Sequence, residues 1–156
     1  MPLGATSRLA SLPIWMRPAR PNERLDLEEL MHRASTAIPD YREQLLENPE
    51  AIVLPMEQIE RGQVIVAEDV ERIAGFAVLI IEDDQAELDG LFVEPHLWRR
   101  GVGRALVDLA VHKSRLAGLG LTVVAAPGAK RFYEKYGFAV EGETATRFGP
   151  ALIMSR

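Results

Sequence analysis

Between Gln63 and Ala126 the hydrophobic pattern changes period twice, and few folds accommodate both changes. Gln63–Glu68 alternates, Ile73–Ile81 is a β-branched and apolar run, and Ala86–Val93 is a third segment of strand character. The links Asp69-Val70-Glu71-Arg72 and Asp83-Asp84-Gln85 are short enough for antiparallel hairpins, which predicts a three-stranded meander. From Gly101 the period becomes helical. Val102, Leu106, Leu109 and Ala110 share one face, with Arg104, Asp108 and Arg115 elsewhere, and Gly118 and Gly120 supply the stop. Leu121–Ala126 is again a continuous apolar run, predicted to be an interior strand. A strand that returns through a helix completes a βαβ unit, so it should lie parallel to Ala86–Val93.

The flanks fill out the same plan. Ile14–Arg17 reads as a brief strand stopped by Pro18. Asn22 offers an N-cap, with Glu23 and Asp26 in the first turn, for a helix whose apolar face is Leu25, Leu27, Leu30, Met31 and Ala34. Ile38-Pro39 ends it. A second helix is expected from Asp40 to Leu46, and residues 48–62, with Pro49, Pro55 and Gly62, read as connection around one helical turn. Pro127 opens a short helix over Ala129–Tyr136 that Gly137 closes, and Phe138–Glu141 and Phe148–Met154 are the last strands. Residues 1–12 read as a loose tail, and 13–156 as one mixed α/β domain: an antiparallel meander, a βαβ unit and C-terminal strands, with helices on both faces. Phe148-Gly149-Pro150-Ala151 is expected at an exposed edge, where it can pair with a second copy as a homodimer.

Composition removes several classes. A net charge of −5 argues against a nucleic-acid partner, and the lack of cysteine removes disulfides, thiolate zinc sites and a cysteine nucleophile. No apolar stretch approaches membrane-spanning length, so no membrane partner is expected and the cytoplasm is the default location. His32 and His112 have no carboxylate or histidine at ligand spacing, so no metal is expected. Trp15, Trp98 and Tyr41 read as packing residues.

The chemistry concentrates in Leu91-Phe92-Val93-Glu94-Pro95-His96-Leu97-Trp98-Arg99-Arg100-Gly101-Val102-Gly103-Arg104-Ala105-Leu106. Gly101 and Gly103 let successive N–H groups turn into one concavity at a helix N-terminus, where donors lack intrahelical partners and the dipole is positive. Arg99, Arg100 and Arg104 oppose that dipole, which makes sense beside an external anion such as a pyrophosphate. It is neither a dinucleotide fingerprint, whose third glycine would fall on Leu106, nor a Walker A loop, which needs Gly-Lys-Ser/Thr.

Phe92-Val93-x-Pro95, the Arg99–Leu106 segment, and Ala129-x-x-Phe132-Tyr133-Glu134-Lys135-Tyr136-Gly137-Phe138 together resemble the GNAT N-acetyltransferase superfamily over roughly residues 14–156. The resemblance implies acetyl-CoA as cosubstrate and an amine acceptor, small molecule or protein. It implies that backbone amides from Arg99 to Arg104, with Val102, Gly103 and Ala105, hold the pyrophosphate, and that Leu91, Phe92 and Val93 pair with the pantetheine arm. The strands Ala86–Val93 and Leu121–Ala126 should splay to admit that arm, with Ala126, Ala129 and Phe132 alongside. Tyr133 is implied near the thioester sulfur as proton donor. Glu87 is the first candidate base and Asp89 the second; a water chain is the third. Trp98 stands where the motif has Gln or Arg, and Ala126 where many members have Asn. Those departures support one alternative: a catalytically silent module that binds acetyl-CoA or a partner protein.

Overall fold

The computed structural model describes residues 13–70 and 72–156. In chain order the elements are β1 (Trp15–Pro18), α1 (Arg24–Ala37), α2 (Arg42–Glu47), α3 (Met56–Glu60), β2 (Val64–Glu68), β3 (Ile73–Ile81), β4 (Ala86–Val93), α4 (Val102–Leu116), β5 (Leu121–Ala125), α5 (Lys130–Lys135), β6 (Ala139–Thr146) and β7 (Gly149–Ser155). The strands form one seven-stranded sheet in the order β1-β2-β3-β4-β5-β7-β6. The expected meander is β2-β3-β4, antiparallel throughout, and β5 runs parallel to β4 after the α4 crossover.

β2 and β3 are apolar at nearly every position because both faces are covered. Val64, Val66, Phe76 and Val78 pack with Leu27, Leu30 and Ala34 of α1 and Ile59 of α3. Ile65, Ala67, Ala77 and Leu79 face the opposite layer, which contains Leu106, Val107 and Ala110 of α4 and Tyr133 of α5. Helices thus lie on both faces, but the α1 layer stops near β4. β5 alternates as a result: Leu121, Val123 and Ala125 are buried, whereas Val124 is 45% exposed. The mostly apolar run Leu121–Ala126, broken by Thr122, suggests more coverage than β5 receives.

Two further expectations are corrected. Asn22 does not cap α1. The chain enters through a 3-10 turn, Pro21–Glu23, and Glu23 accepts the Arg20 N–H at 2.7 Å while binding Arg17 through both carboxylate oxygens at 2.9 and 2.7 Å. A carboxylate that already terminates a forked arginine pair makes the better start signal. The segment beginning at Phe148 is not an exposed edge either. β7 inserts between β5 and β6, because a hairpin with β6 brings it back beside β5, and β6 becomes the outer strand. The expected 1–12 tail lies outside the described residues. Among the described residues, no helix is long and apolar enough to cross a membrane.

The Arg17–Glu23 pair ties β1 to the start of α1, and Arg17 holds the Glu23 carboxyl below its ordinary range. Its stabilisation is therefore present above the unfolded-state value and lost as pH falls through the lowered native one. Glu23→Gln is expected to cost about 1.5 kcal/mol at pH 7, a melting temperature lower by a few degrees. Melts at a series of pH values should show the difference shrinking below about pH 4.

Candidate active site

β4 and β5 pair only at Ala86–Leu121, Glu87–Thr122 and Leu88–Val123. Just beyond, β4 carries an extra residue: Val78 aligns with Gly90 and Leu79 with Leu88, so Asp89 is bulged. A bulge bends its strand and re-aims the residues beyond it. The strands part there, and a cavity of about 460 Å³ opens between the diverging end of β4 and the turn and helix that follow β5. Leu91, Phe92 and Val93 line it from β4, and Ala129, Phe132 and Tyr133 from α5 and the turn before it. The splay expected between these strands is present.

The loop from β4 to α4 forms one rim. Its own hydrogen bonds are Leu97 N–H to Glu94 O (2.8 Å), Trp98 N–H to Pro95 O (3.3 Å) and Ala105 N–H to Gly101 O (3.0 Å). Among the described residues, the N–H groups of Arg99 to Arg104 find no acceptor. Arg99 has φ 63°, the one positive value for a non-glycine among the described residues, and Gly101 has φ 88°. A non-glycine residue held there stores on the order of 1 kcal/mol or more of strain, which the surrounding structure must over-determine. Two contacts do so. The Trp98 indole N–H donates to Val93 O at 2.9 Å, folding the loop back on the strand it leaves. From α1, Arg33 forks onto Glu94 at 2.9 and 3.1 Å. Trp98 therefore has a defined local role, although it is 41% exposed. Among the described residues Arg99 and Arg100 have no ion-pair partner, whereas Arg104 lies 3.8 Å from Asp108. Gly103 leaves room for an aromatic wall: a Cβ there would lie 3.2 Å from the Phe132 ring.

Tyr133 is 6% exposed and packs edge-on against Phe132 and Phe138. Among the described residues its hydroxyl has no hydrogen-bond partner, and burial raises its pKa, so it keeps its proton through the physiological range. Glu87 does not line the cavity. It sits at the last paired rungs beside Thr122, half-buried, on the sheet face away from Leu88 and α4. Burial first, then Asp89 and Glu82, push its carboxyl above its ordinary value. Asp89 accepts a hydrogen bond from Gln58 of α3 at 3.2 Å.

The cavity thus brings together Leu91, Phe92, Val93, Trp98, Arg99, Gly103, Ala129, Phe132 and Tyr133, and leaves Arg100, Gly101, Val102, Arg104, Ala105 and Ala126 outside its lining. Ala126 begins the 3-10 turn Pro127–Ala129 and accepts the Ala129 N–H at 2.9 Å. Sequence reasoning misses Ala34, Ser35 and Ile38 of the α1 end, Leu97 and Gly128, which complete the walls. Ala34 reads as core by its spacing, and no local pattern marks a helix end that meets a loop distant in sequence. The donors at the rim, the two free arginines and the largely apolar interior fit an anion with a long, mostly apolar arm. Among the described residues no group of His, Cys, Asp and Glu could hold a metal ion.

The profile of the acetyltransferase (GNAT) domain family matches residues 60–140. No curated protein matches the chain significantly. Among solved structures, PaiA N-acetyltransferase from Thermoplasma acidophilum in complex with coenzyme A is 21% identical, with a TM-score of 0.72 over 93% of this chain and 99% of its own. A GCN5-related N-acetyltransferase from Rhodopseudomonas palustris is 24% identical, with a TM-score of 0.73 over 94% and 96%. Arabidopsis thaliana Naa50, in complex with the bisubstrate analogue CoA-Ac-MVNAL, is 13% identical, with a TM-score of 0.71 over 92% and 97%. At these identities the likeness is one of fold.

Glu87 gives this site a pH signature. A carboxyl raised by burial and like charges costs stability when ionised, so its destabilisation is absent below the unfolded-state value and grows as pH rises through the native one. Glu87→Gln should raise the melting temperature at pH 7 by a degree or two and change it little at pH 4. An equal shift at both pH values would show that its environment is not charge-strained.

Proposed function

The chain belongs to the acetyltransferase (GNAT) domain family, and from that premise we propose that it is an N-acetyltransferase. It moves an acetyl group from acetyl-CoA to a primary amine by direct attack in a ternary complex. A small-molecule amine is favoured over a protein amine, and residues 13–156 act as one domain in the cytoplasm. The observation that carries the reading is the run of unpaired N–H groups from Arg99 to Arg104 at the mouth of an apolar wedge. The coenzyme A bound by the Thermoplasma protein and the CoA conjugate bound by the Arabidopsis one support it.

When bound, acetyl-CoA supplies a thioester carbonyl open to attack by the amine. The residues of this chain do the rest. Amides from Arg99 to Arg104, in the turn formed by Gly101, Val102, Gly103 and Ala105, hold the pyrophosphate, and the Arg99 and Arg100 side chains neutralise it. The unpaired edge of β4 at Leu91, Phe92 and Val93 holds the arm, and Ala126, Ala129 and Phe132 close the other side. An N–H near Phe92 or Val93 steadies the developing oxyanion. Tyr133 carries the proton that the sulfur takes up as its bond to carbon breaks; the same desolvation that raises the phenol also raises the thiol, so burial does not by itself widen the gap between them. An alkylamine with a pKa of about 10.4 is neutral in only about one molecule in 2,500 at pH 7, an obstacle of about 4.6 kcal/mol. Glu87, whose proton affinity is raised, takes the amine proton through water, with Asp89 as the second candidate.

Calorimetric titration with desulfo-CoA tests the cofactor half. Micromolar binding is expected, weakened at least about tenfold when Arg99 and Arg100 are both changed to Ala. No binding by the native chain would sink the proposal. In a thiol-release assay Tyr133→Phe should lower kcat about a hundredfold with KM nearly kept. An unchanged kcat would remove Tyr133 from the chemistry.

A further inference from the structure

The segment after α1 crosses the wedge and is fastened on its far side. Ile38 lines the cavity from the α1 end, facing Leu91 to Val93 of β4. Two residues on, the Asp40 carboxylate accepts the Gly128 N–H at 2.9 Å, and Gly128 lines the same cavity from the turn after β5. The next residue, Tyr41, donates its hydroxyl to Pro150 O at 2.5 Å, on β7 beyond β5. α2 continues the attachment: Gln44 donates to Phe148 O at 3.4 Å, and Arg147 reaches back to Asn48 at 3.3 Å and Glu50 at 3.1 Å. The joint is fitted as well as bonded. A Cβ on Gly128 would come within 2.7 Å of Asp40 Oδ1, and one on Gly149 within 3.3 Å of the Tyr41 ring. Arg42 secures the near end by donating to the carbonyls of Thr36 (2.6 Å) and Ala37 (3.0 Å) at the end of α1.

We infer that Asp40 and Tyr41 form a specificity-determining latch that admits a compact amine to the wedge and excludes an extended polypeptide. The inference rests on the transferase reading above. An extended chain with its side chains is about 10 Å across, and direct contacts of 2.5 to 2.9 Å between the strap and the far wall leave no such gap. With this end bridged, the sheet face bearing the exposed Val124 and the half-buried Glu87 is the approach left to an acceptor. A short alkylamine can pass there without displacing the strap.

Three CoA derivatives test this by calorimetry on the full chain: CoA itself, CoA joined through an acetyl thioether to a four-carbon amine, and CoA joined in the same way to the α-amine of a pentapeptide. The short-amine conjugate should bind at least as tightly as CoA, and the pentapeptide conjugate at least about tenfold more weakly. In the double variant Asp40→Ala, Tyr41→Phe the pentapeptide conjugate should recover to within about threefold of CoA. Tyr41→Phe alone, which keeps the ring against Gly149, should give part of that recovery if the double variant fails to fold. Pentapeptide binding to the native chain as tight as CoA would overturn the latch, as would discrimination that persists in a folded variant. A short-amine conjugate that binds no better than the peptide one would do the same. In all these cases CoA still binds and the transferase reading stands; loss of CoA binding itself by the native chain removes that reading and the latch with it.

Discussion

β4 and β5 are hydrogen-bonded neighbours for only three rungs, and the positions of the surrounding groups depend on their parting after Leu88 and Val123. A parallel pair needs a crossover, so a helix must begin near the end where β4 finishes. The N-terminus of α4 therefore opens beside the split, and the unpaired amides of Arg99 to Arg104 stand at its mouth. On the other strand the chain turns immediately into α5, which sets Tyr133 against the opposite wall. The bulge at Asp89 is the local device that permits this. It breaks the register of β4 with β3 by one residue, and β4 keeps pairing with β3 while leaving β5.

The split also separates the charges. Arginines without an ion-pair partner among the described residues, Arg99 and Arg100, collect at the turn, while Glu82 and Asp89 push against Glu87 at the paired end. Between them lies a largely apolar cavity with a phenol whose proton is hard to remove. A protein that needed only a stable sheet would place none of these groups so. Arg99 sits at positive φ, Glu87 is repelled by its neighbours, and the hydroxyl of the buried Tyr133 has no hydrogen-bond partner among the described residues. Each departs from local optimum; Arg99 and Tyr133 line one cavity, and Glu87 lies on the other sheet face where β4 and β5 part, as strain tends to gather at functional sites.

The sequence carries the parts of the fold that depend on local period. β3 falls on the β-branched run Ile73–Ile81 and β4 on Ala86–Val93, as expected, and α4 starts at Val102 just after Gly101. It does not carry contacts set by tertiary competition. Asn22 is a sound N-cap by type, yet Glu23 takes the position because Arg17, across in β1, holds it there. Phe148–Ala151 looks like an edge because nothing local records that β7 returns between β5 and β6. Trp98 is the instructive case within the site. Its departure from the motif is visible in the sequence, but its hydrogen bond to Val93 O depends on a fold-back that spacing alone does not encode.

The short helix α2 shows how such non-local information enters. Six residues are far too few for a helix to be stable alone, since nucleation costs more than so few internal bonds return. None of its residues is fully buried, so core packing does not hold it either. What remains is the set of polar ties from Asp40, Tyr41 and Gln44 to the β5–α5 turn and β7, and from Arg147 back to Asn48 and Glu50. Most of these are exposed and individually weak. Their strength lies in number and in the fitted glycines at both landing points. α2 is thus held by the tip of the hairpin, at Arg147 and Phe148, while β6 itself stays exposed along nearly its whole length. The closure of that end of the wedge is therefore a property of residues about a hundred positions apart.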